Sequence, residues 1–471
     1  PMALALDELL AALPAEADEA EPLPAAIEEI FEKLSHRPVP VGSLARLWTL
    51  GTLQAKIAAA YMAYWVRCGF LSSDDAARRL NDPHLAAAIK LLGGMSYLRG
   101  AIMKVGQVLA NYPNLLPEHY AEALAKLHFE APPMHYSLLR EHVRNELGRD
   151  PEELFESFET RAFAAASLGQ VHRARLKSGE PVAVKIQYPN IAHTIRSDFR
   201  SLSAVFLPMR LTADWQNQRE QFEYVRRSLE QETDYEREAE ALRRARLCLS
   251  QDDEVVVPRV YQEFSTRHVL TMDYLAGKHL DLFLATDPPR ELRDRHGAQI
   301  MRSSLWLYYR EKLLYSDVQP GNFLFLDDGR LGLLDFGGCR TFSDDEWDTI
   351  RSGHKAFRGT REDVVAHCIR SAMLTDAQRA DSMHVKLLED ITYWLWEPFK
   401  HEGPFDFGDA DYFQRGMALY AEMFRRRSTR GMPFVTLMTR MFLGFRAMAC
   451  RLGCRVDARQ AMDDELRLLG W

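Results

Sequence analysis

A lysine in the second third of the chain closes an apolar segment, Val182-Ala183-Val184-Lys185. In a β-strand, Ala183 and Lys185 would share one face and the two valines the other. A lysine placed in this way can neutralise the α- and β-phosphates of a nucleotide, provided that a helix glutamate fixes its position. A lone lysine of this kind is more often an edge-strand residue that points into solvent, so the segment needs support from elsewhere.

Two further segments carry side chains of the types that bind Mg²⁺ and orient an acceptor group. Asp317 and Asn322 lie five residues apart around a Pro-Gly bend, a spacing that fits a rigid catalytic loop. Asp335, at the end of an apolar segment, can bind a metal that bridges phosphates. Taken singly, the first segment is a common surface turn and a bare Asp-Phe-Gly is a weak signal. Their order after Lys185, with a predicted β-hairpin between Asn322 and Asp335, predicts a phosphoryl-transfer site.

The pattern around these segments predicts an α+β protein, in which a small sheet with one long helix precedes a helical half. Residues 25–130 have a helical pattern, and a helix over Ser137–Leu147 is predicted to end at Gly148. A lead-in strand is predicted from Phe163, followed by strands over Val171–Leu176 and Val182–Tyr188. The long charged helix Arg219–Leu249 comes next. Further strands are predicted over Val255–Phe264 and His268–Leu275, and a hairpin over Phe323–Leu326 and Leu331–Leu334.

Composition, net charge and cysteine pattern indicate which broad class of protein to expect. The 471 residues are 47% hydrophobic and 27% charged, which is ordinary for a soluble globular protein. A net charge of −8 argues against a nucleic-acid-binding protein, so no nucleic acid is expected as a partner. The six cysteines form no Cys-x-x-Cys pair, and the first residues lack a basic segment followed by an apolar core. We therefore expect reduced thiols, no signal peptide and a cytoplasmic protein.

Two apolar stretches, Leu44–Leu71 and Phe434–Leu452, are each interrupted by charged residues. Neither reaches the roughly 18 uncharged residues that a membrane-spanning helix needs. Both are predicted to be amphipathic helices that pack on a core, with peripheral docking on a membrane surface as the alternative.

Further motifs accompany the three segments that carry Lys185, Asp317 and Asp335. They are Lys104-Val105-Gly106-Gln107, Leu115-Leu116-Pro117-Glu118, Ala131-Pro132-Pro133, Ala164-Ala165-Ala166-Ser167 and Glu232-Thr233-Asp234-Tyr235-Glu236-Arg237-Glu238-Ala239. With these motifs, residues 85–345 resemble the UbiB (AarF-like) family of atypical kinases, which are associated with ubiquinone and other prenyl-lipid pathways.

The resemblance implies a two-lobed protein-kinase-like fold with a helical N-terminal extension and a helical C-terminal tail. The implied regions are an N-terminal helical region (1–84), an extension with the Lys-x-Gly-Gln motif (85–160), a small lobe (161–275), a large-lobe core (276–360) and a C-terminal helical region (361–471). The implied cofactors are ATP or ADP with Mg²⁺. A prenyl lipid or quinone precursor is the implied partner besides the nucleotide.

The resemblance also implies roles for residues in the cleft. Lys185, positioned by Glu238, would hold the phosphates, and Asp317 would orient the acceptor hydroxyl or water. Asn322 and Asp335 would hold Mg²⁺. An Ala-rich loop would replace the usual Gly-rich loop and alter nucleotide preference; it comprises Ala164, Ala165, Ala166 and Ser167. The adenine-binding hinge is expected directly after the last small-lobe strand, at Met272, Asp273, Tyr274 and Leu275.

Four residues, Lys104, Gln107, Glu232 and Asp234, would form a family-specific lid network. Asp234 and Glu238 are four apart, so on one continuous helix they would share a face. Glu232 lies about 200° from Asp234 on such a helix. Glu232 can therefore join the network only from the helix edge or where the helix is irregular.

The catalytic loop departs from the family pattern His-x-Asp-Pro-His-Pro-Gly-Asn. Tyr315, Val318 and Gln319 replace the first His, the first Pro and the second His, which leaves the orientation of the loop open.

The acceptor is open as well. Residues 340–360 contain no Ala-Pro-Glu-like segment, and the family places Lys104 and Gln107 where a peptide would bind. Action on a lipid or small molecule, autophosphorylation, or ATP hydrolysis coupled to lipid handling therefore fits better than protein phosphorylation. A nucleotide-gated, non-catalytic scaffold that binds prenyl lipid or partner proteins is the alternative. An aminoglycoside-phosphotransferase-like enzyme ranks last, because it would need neither the motif at 104–107 nor the Ala-rich loop.

Overall fold

The structure, a computed structural model, describes residues 135–166, 168–189, 191–193, 195–196, 215–371, 376–426 and 433–471. All of these residues fall in one of the two units into which the chain divides.

A five-stranded antiparallel sheet forms the small lobe. Its strands are β1 (Ser157–Phe158), β2 (Ala164–Ala166), β3 (Gly169–Arg175), β4 (Pro181–Gln187) and β6 (Val269–Asp273), in the order β1-β3-β4-β6 with β2 also paired to β3. The turn between β3 and β4 contains Gly179 at φ 101°, a conformation that glycine adopts without strain. The predicted β3–β4 hairpin is therefore confirmed.

Two helices precede this sheet, α1 (Tyr136–Leu147) and α2 (Pro151–Leu154). As predicted, α1 ends at Gly148, whose φ is 78°. Leu139 and Val143 of α1 pack in one core with the face of β4 that carries Val182, Val184 and Ile186. The core of the small lobe therefore begins before residue 161, the boundary predicted from the sequence.

The prediction of one long helix over Arg219–Leu249 is wrong in one respect, because this segment contains two helices. They are α3 (Trp215–Glu232) and α4 (Tyr235–Cys248).

The predicted strand Val255–Phe264 is also wrong over most of its length. Only β5 (Val255–Val256) is a strand, and Gln262–Phe264 is a 3₁₀ turn. Pro258 lies between them and has no N–H to donate to a sheet, which explains the interruption. β5 pairs in parallel with β9 (Leu331–Leu333), outside the small-lobe sheet.

The large lobe is built on a central helix and short strands. Its elements are α5 (Leu280–Leu284), α6 (Arg290–Arg310), β7 (Leu313–Tyr315), β8 (Phe323–Phe325), β9 and β10 (Cys339–Thr341). The predicted hairpin of β8 and β9 is confirmed, and β7 pairs with β10. These pairings bring the segments of Asp317 and Asp335 together beneath the small lobe.

Helices dominate the rest of the chain. They are α7 (Asp344–Arg358), α8 (Arg361–Arg370), α9 (Asp376–Ala380), α10 (Ser382–Lys400), α11 (Ala410–Arg425), α12 (Pro433–Leu452) and α13 (Ala458–Leu468), with a small pair of strands β11 (Phe405–Asp406) and β12 (Arg455–Val456).

The apolar stretch Phe434–Leu452 lies in α12 and packs on the large-lobe core through Met441, Phe445 and Met448, as predicted. The other apolar stretch, Leu44–Leu71, lies outside the described residues. Across the described part of the chain, no helix combines the length and hydropathy that crossing a bilayer requires.

A buried histidine of the large lobe makes stability depend on pH. Nε2 of His354 lies 2.9 Å from the hydroxyl of Tyr309. Burial, helped by the charge of Arg358, lowers the pKa of His354 from 6.5 to about 3. Because the unfolded chain takes up this proton below pH 6.5 and the folded protein does not, the stabilisation is present at neutral pH and is lost on acidification.

We expect His354→Gln to flatten this pH dependence. Between pH 7 and pH 5, the free energy of unfolding of the variant, measured in urea, should fall by about 2 kcal/mol less than that of the parent. The control is His401→Gln, at an exposed histidine just after α10. Parallel pH curves for the parent and His354→Gln would show that this group does not titrate as stated.

Candidate active site

Lys185 lies at the centre of a buried ion-pair network. Its Nζ is 2.8 and 2.9 Å from the two carboxylate oxygens of Glu238 and 3.0 Å from Oδ2 of Asp335. Lys185 is 6% exposed and Glu238 is 3% exposed. β4 lies between β3 and β6, so Lys185 is not an edge-strand residue that points into solvent. The network joins a strand and a helix of the small lobe to the Asp-Phe-Gly segment of the large lobe.

The charges of this network are strongly coupled. Burial favours the neutral form of Lys185, but the carboxylates of Asp335 and Glu238 outweigh it and raise the pKa of Lys185 well above its usual value. Burial raises the pKa of Glu238 to about 7, although the ammonium of Lys185 counteracts this. With both carboxylates ionised, one ammonium faces two negative charges. A further cation near Asp335 is therefore electrostatically favoured.

Asp335 is held by the turn that follows it. The backbone N–H of Gly337 donates to Oδ1 of Asp335 over 2.9 Å. A Cβ at Gly337 would lie 3.3 Å from both Asp335 Oδ1 and Glu238 Oε2, so a larger residue would crowd both carboxylates. Phe336 is buried against the ring of Tyr315, with ring centroids 5.1 Å apart. Tyr315, which replaces the first His of the family pattern, thus serves in packing.

The loop between β7 and β8 fixes the carboxylate of Asp317. Nδ2 of Asn322 donates to the carbonyl oxygen of Asp317 over 2.8 Å and to its Oδ2 over 3.0 Å. Nε2 of Gln319 donates to the same Oδ2 over 2.8 Å. Gln319 stands where the family pattern has its second His, so this departure supplies a hydrogen bond to Asp317. The orientation of the loop, left open by the sequence, is set by these contacts.

Asn322 and Asp335 are suited to bind Mg²⁺ with substrate phosphates. Because Nδ2 of Asn322 is directed at Asp317, its Oδ1 lies on the other side of the amide. The Asp335 side chain is 30% exposed. Mg²⁺ in nucleotide sites usually takes only one or two protein oxygens and completes its shell with phosphate and water. The described residues contain no cluster of three or more His, Cys, Asp or Glu side chains arranged for a metal.

Sequence reasoning missed Arg440. It lies on α12, and its guanidinium forms an ion pair with Oδ1 of Asp317. One turn further along α12, a Cβ at Gly444 would lie 2.3 Å from the carbonyl oxygen of Val318, so only glycine lets the helix approach the loop. An arginine and a glycine one turn apart on an otherwise apolar helix were the available signal.

We expect Gly444→Ala to disturb this contact. The added methyl group must push α12 away from the Val318 carbonyl, and overpacking of this kind costs about 2 kcal/mol in the free energy of unfolding. Urea unfolding is the measurement. Gly321→Ala, in the same loop but with no atom within 4 Å of the new Cβ, is the matched control. Equal stability of the two variants would contradict the close packing of α12 on the loop.

The break between α3 and α4 corrects the predicted placement of Asp234. Asp234 has an extended backbone, caps α4 and accepts a hydrogen bond from the backbone N–H of Glu236 over 3.1 Å. The prediction that Asp234 and Glu238 share a helical face is therefore wrong. Two contacts hold the break: Gln187 of β4 donates to the Thr233 carbonyl, and Tyr235 donates its N–H to the carbonyl of Arg267, which precedes β6, each over 3.0 Å. The capping preference of aspartate was a sequence signal for it.

Residues on both sides of the break between α3 and α4 line the cleft. A cavity of about 420 Å³ reaches from Lys185 to Asp317 and Arg440, and both Glu232 and Asp234 line it. The irregularity that Glu232 needed is present at Thr233–Asp234. Lys104 and Gln107, the other two residues of the predicted lid network, lie outside the described residues, as does Ser167 of the Ala-rich segment.

The other nucleotide-binding segments have regular structure. Ala164, Ala165 and Ala166 form β2, antiparallel to β3, so this part of the predicted Ala-rich loop is a strand. Met272 and Asp273 end β6. The backbone N–H of Tyr274, which follows, donates to the Pro181 carbonyl over 3.1 Å, and Leu275 comes next. The predicted hinge therefore lies where the small-lobe sheet ends.

Comparison with known proteins agrees with this geometry. Residues 126–367 match the family described as "ABC1 atypical kinase-like domain". The zebrafish protein (Danio rerio) named "Atypical kinase COQ8B, mitochondrial" is 31% identical over 415 residues, which cover 85% of this chain and 65% of that protein. The yeast protein (Saccharomyces cerevisiae) named "Atypical kinase COQ8, mitochondrial" is 29% identical, with 91% and 86% covered. The chain thus spans slightly less than two thirds of the zebrafish relative.

A solved structure is also similar. It is named "The complex structure of Rv3197-erythromycin from Mycobacterium tuberculosis", and its chain is 25% identical in sequence. The TM-score is 0.54, with 84% of this chain and 98% of that chain covered. The similarity supports the two-lobed α+β fold seen here.

Proposed function

Since the chain belongs to the ABC1 atypical kinase-like (UbiB) family, we propose that it binds a magnesium nucleotide and uses it on, or together with, a lipid or small molecule. The observation that carries this proposal is the buried network of Lys185, Glu238 and Asp335 above a restrained Asp317. Burying an ammonium and two carboxylates costs desolvation free energy, and replacing such a buried group of charges with apolar residues often stabilises a protein. The network is therefore poorly explained by fold stability alone. Phosphate binding gives a reason for it.

The nucleotide, ATP or ADP, would bind with its phosphates near Lys185. On binding, the phosphates compete with Asp335 for the ammonium, while Glu238 keeps Lys185 in position. The base would be held by the hinge at Met272, Asp273, Tyr274 and Leu275, which lies where the small-lobe sheet ends, and by the strand Ala164–Ala166.

Asn322 Oδ1 and a carboxylate oxygen of Asp335 would hold Mg²⁺. When bound, the metal supplies positive charge that stabilises the phosphates and the charge developing on them. Asp317 would orient the acceptor hydroxyl or water through a carboxylate oxygen and accept its proton. Gln319, Asn322 and Arg440 keep that carboxylate from rotating.

A peptide acceptor fits this site poorly. β10 ends at Thr341, and Ser343 already caps α7, so the chain has no long extended segment after the Asp-Phe-Gly turn on which a peptide could lie. Arg440 of α12 also contacts Oδ1 of Asp317, so α12 lies next to this carboxylate. We therefore propose a prenyl lipid, a quinone precursor or another small molecule, reached through peripheral contact with a membrane. The lid network of Lys104, Gln107, Glu232 and Asp234 would close the cleft during this step.

A nucleotide-gated scaffold remains the second candidate. The observation that favours it is the Arg440–Asp317 ion pair, which occupies one of the two carboxylate oxygens of Asp317. In this case nucleotide binding would control contact with a prenyl lipid or a partner protein, with little or no ATP turnover.

ATP turnover separates the two candidates. Phosphate release would be measured with Mg²⁺–ATP, without vesicles, with plain phospholipid vesicles, and with vesicles that carry a quinone-precursor mimic. The proposal predicts turnover that the mimic stimulates beyond plain vesicles. Saturable nucleotide binding without turnover under any of these conditions would favour the scaffold.

A further inference from the structure

Arg173 is an exposed arginine of β3 whose guanidinium has no hydrogen bond or ion pair with another residue of the described ranges. It instead lies against two aromatic rings, 4.7 Å from the ring centroid of Phe163 and 5.1 Å from that of Tyr274. The two rings also contact each other edge to face, with centroids 5.7 Å apart. We call these three residues the hinge stack.

The register of the sheet places the hinge stack on the cleft side. Arg173 is paired with Ala183 of β4, and Ala183 with Met272 of β6. Ala183 lies two residues from Lys185 and therefore on the same face, which looks toward Asp335 of the large lobe. Ala183 and Met272 accordingly belong to the core shared with the large lobe, and Tyr274 packs against it.

The same register sets the direction from Lys185 to the stack. Two residues along a strand correspond to roughly 7 Å, so Arg173 lies about that far along the sheet from the row of Lys185, toward the hinge. With its phosphates at Lys185 and its base at the proposed hinge, a nucleotide would extend in this direction. The hinge stack therefore lies at the base end of the cleft.

The stack links the segment before β2 to the hinge after β6, two elements that do not pair directly with each other in the sheet. Phe163 leads into β2 and is tied to β3 by its backbone N–H, which donates to the Val171 carbonyl over 3.0 Å. Tyr274 begins the hinge. Arg173 contacts both rings, so its planar guanidinium holds the start of the Ala-rich strand against the hinge.

We propose that Arg173 is a positioning residue for the nucleobase: by clamping Phe163 against Tyr274, it holds an aromatic cover over a planar heteroaromatic base. This inference rests on the proposed function and deepens it. The strand Ala164–Ala166 has no glycine that could fold over the phosphates, so contacts at the base end gain importance, and the stack preorganises that end. Arg173 acts through the two rings and not through its charge on the phosphates.

The test compares a nucleotide with a ligand that has no base. Dissociation constants for Mg²⁺–ATP and Mg²⁺–tripolyphosphate would be measured by titration calorimetry for the parent, Arg173→Ala and Arg173→Lys. Lysine keeps the charge but loses the broad guanidinium group that contacts both rings. Arg259→Ala removes another exposed arginine that lies over a tyrosine ring, Tyr261, and is the matched control.

Both Arg173 variants should bind ATP about five- to tenfold more weakly, with the lysine variant no more than partly restored. Their tripolyphosphate constants, and both constants of Arg259→Ala, should stay within about twofold of the parent. Unchanged ATP binding in Arg173→Ala would overturn the inference, as would an equal weakening of ATP and tripolyphosphate, which would mean a charge effect on the phosphates. A parent protein that binds neither ligand would contradict the proposed function and with it this inference.

Discussion

Replacing Asp317 with asparagine should lower ATP turnover by about two to four orders of magnitude, because a positioned general base contributes that much to proton transfer. The substitution keeps the shape of the side chain and the oxygen that accepts from Gln319 and Asn322. Binding of Mg²⁺–nucleotide should therefore change by no more than about threefold. Steady-state phosphate release and equilibrium titration on the same preparations measure the two effects.

Asp253→Asn is the control for this substitution, since Asp253 is an exposed aspartate next to β5 and does not line the cleft. Its turnover should equal that of the parent. If Asp317→Asn kept turnover within a few-fold of the parent, Asp317 would not have the role proposed for it, and the residual hydrolysis would need another explanation.

Replacing Lys185 with methionine should affect both stability and binding. Glu238 would stay buried without its ammonium, and breaking a buried pair in this way costs about 3–5 kcal/mol in the free energy of unfolding. Nucleotide affinity should fall at least about tenfold, because the cation facing the phosphates is gone. Urea unfolding and nucleotide titration measure the two losses.

A second substitution separates these effects. Lys185→Met combined with Glu238→Gln removes the unpaired charge, so the double variant should recover most of the stability but none of the affinity. Recovery of both would contradict a phosphate-binding role for Lys185.

The stability loss of Lys185→Met should also depend on pH. The pKa of Glu238 is raised to about 7 even beside Lys185, and removing the ammonium raises it further. A carboxyl with a raised pKa in the folded state binds its proton more tightly there than in the unfolded chain, so its contribution to stability falls as pH rises. The variant should therefore be destabilised less at pH 6 than at pH 8.

Local patterns were sufficient to predict much of the site. Alternation in Val182–Lys185 and the turn at Gly179 predicted β4 and its hairpin, because period-two burial and turn chemistry are short-range properties. The spacing of Asp317, Asn322 and Asp335 predicted a loop and a hairpin for the same reason. The buried network shows that these side chains come together, whereas their roles in binding and catalysis remain predictions.

The features that were missed depend on distant residues. The helix break at Thr233 is held by Gln187, which precedes it in sequence, and by Arg267, which follows it, while the residues that flank the break favour helix. Arg440 reaches Asp317 from 123 residues away, so no local pattern could connect them. β5 pairs with β9, which lies far beyond it in sequence, so no local pattern could reveal the pairing.

The most direct test of the central claim is Mg²⁺-dependent nucleotide binding by the parent protein and by Asp335→Asn. Titration calorimetry with ATP and with ADP, with and without Mg²⁺, gives the dissociation constants independently of any acceptor. Saturable binding that requires Mg²⁺ in the parent, and is at least about tenfold weaker in Asp335→Asn, is the predicted result. Absence of Mg²⁺–nucleotide binding in the parent, or equal binding by both proteins, would contradict the assignment of the site.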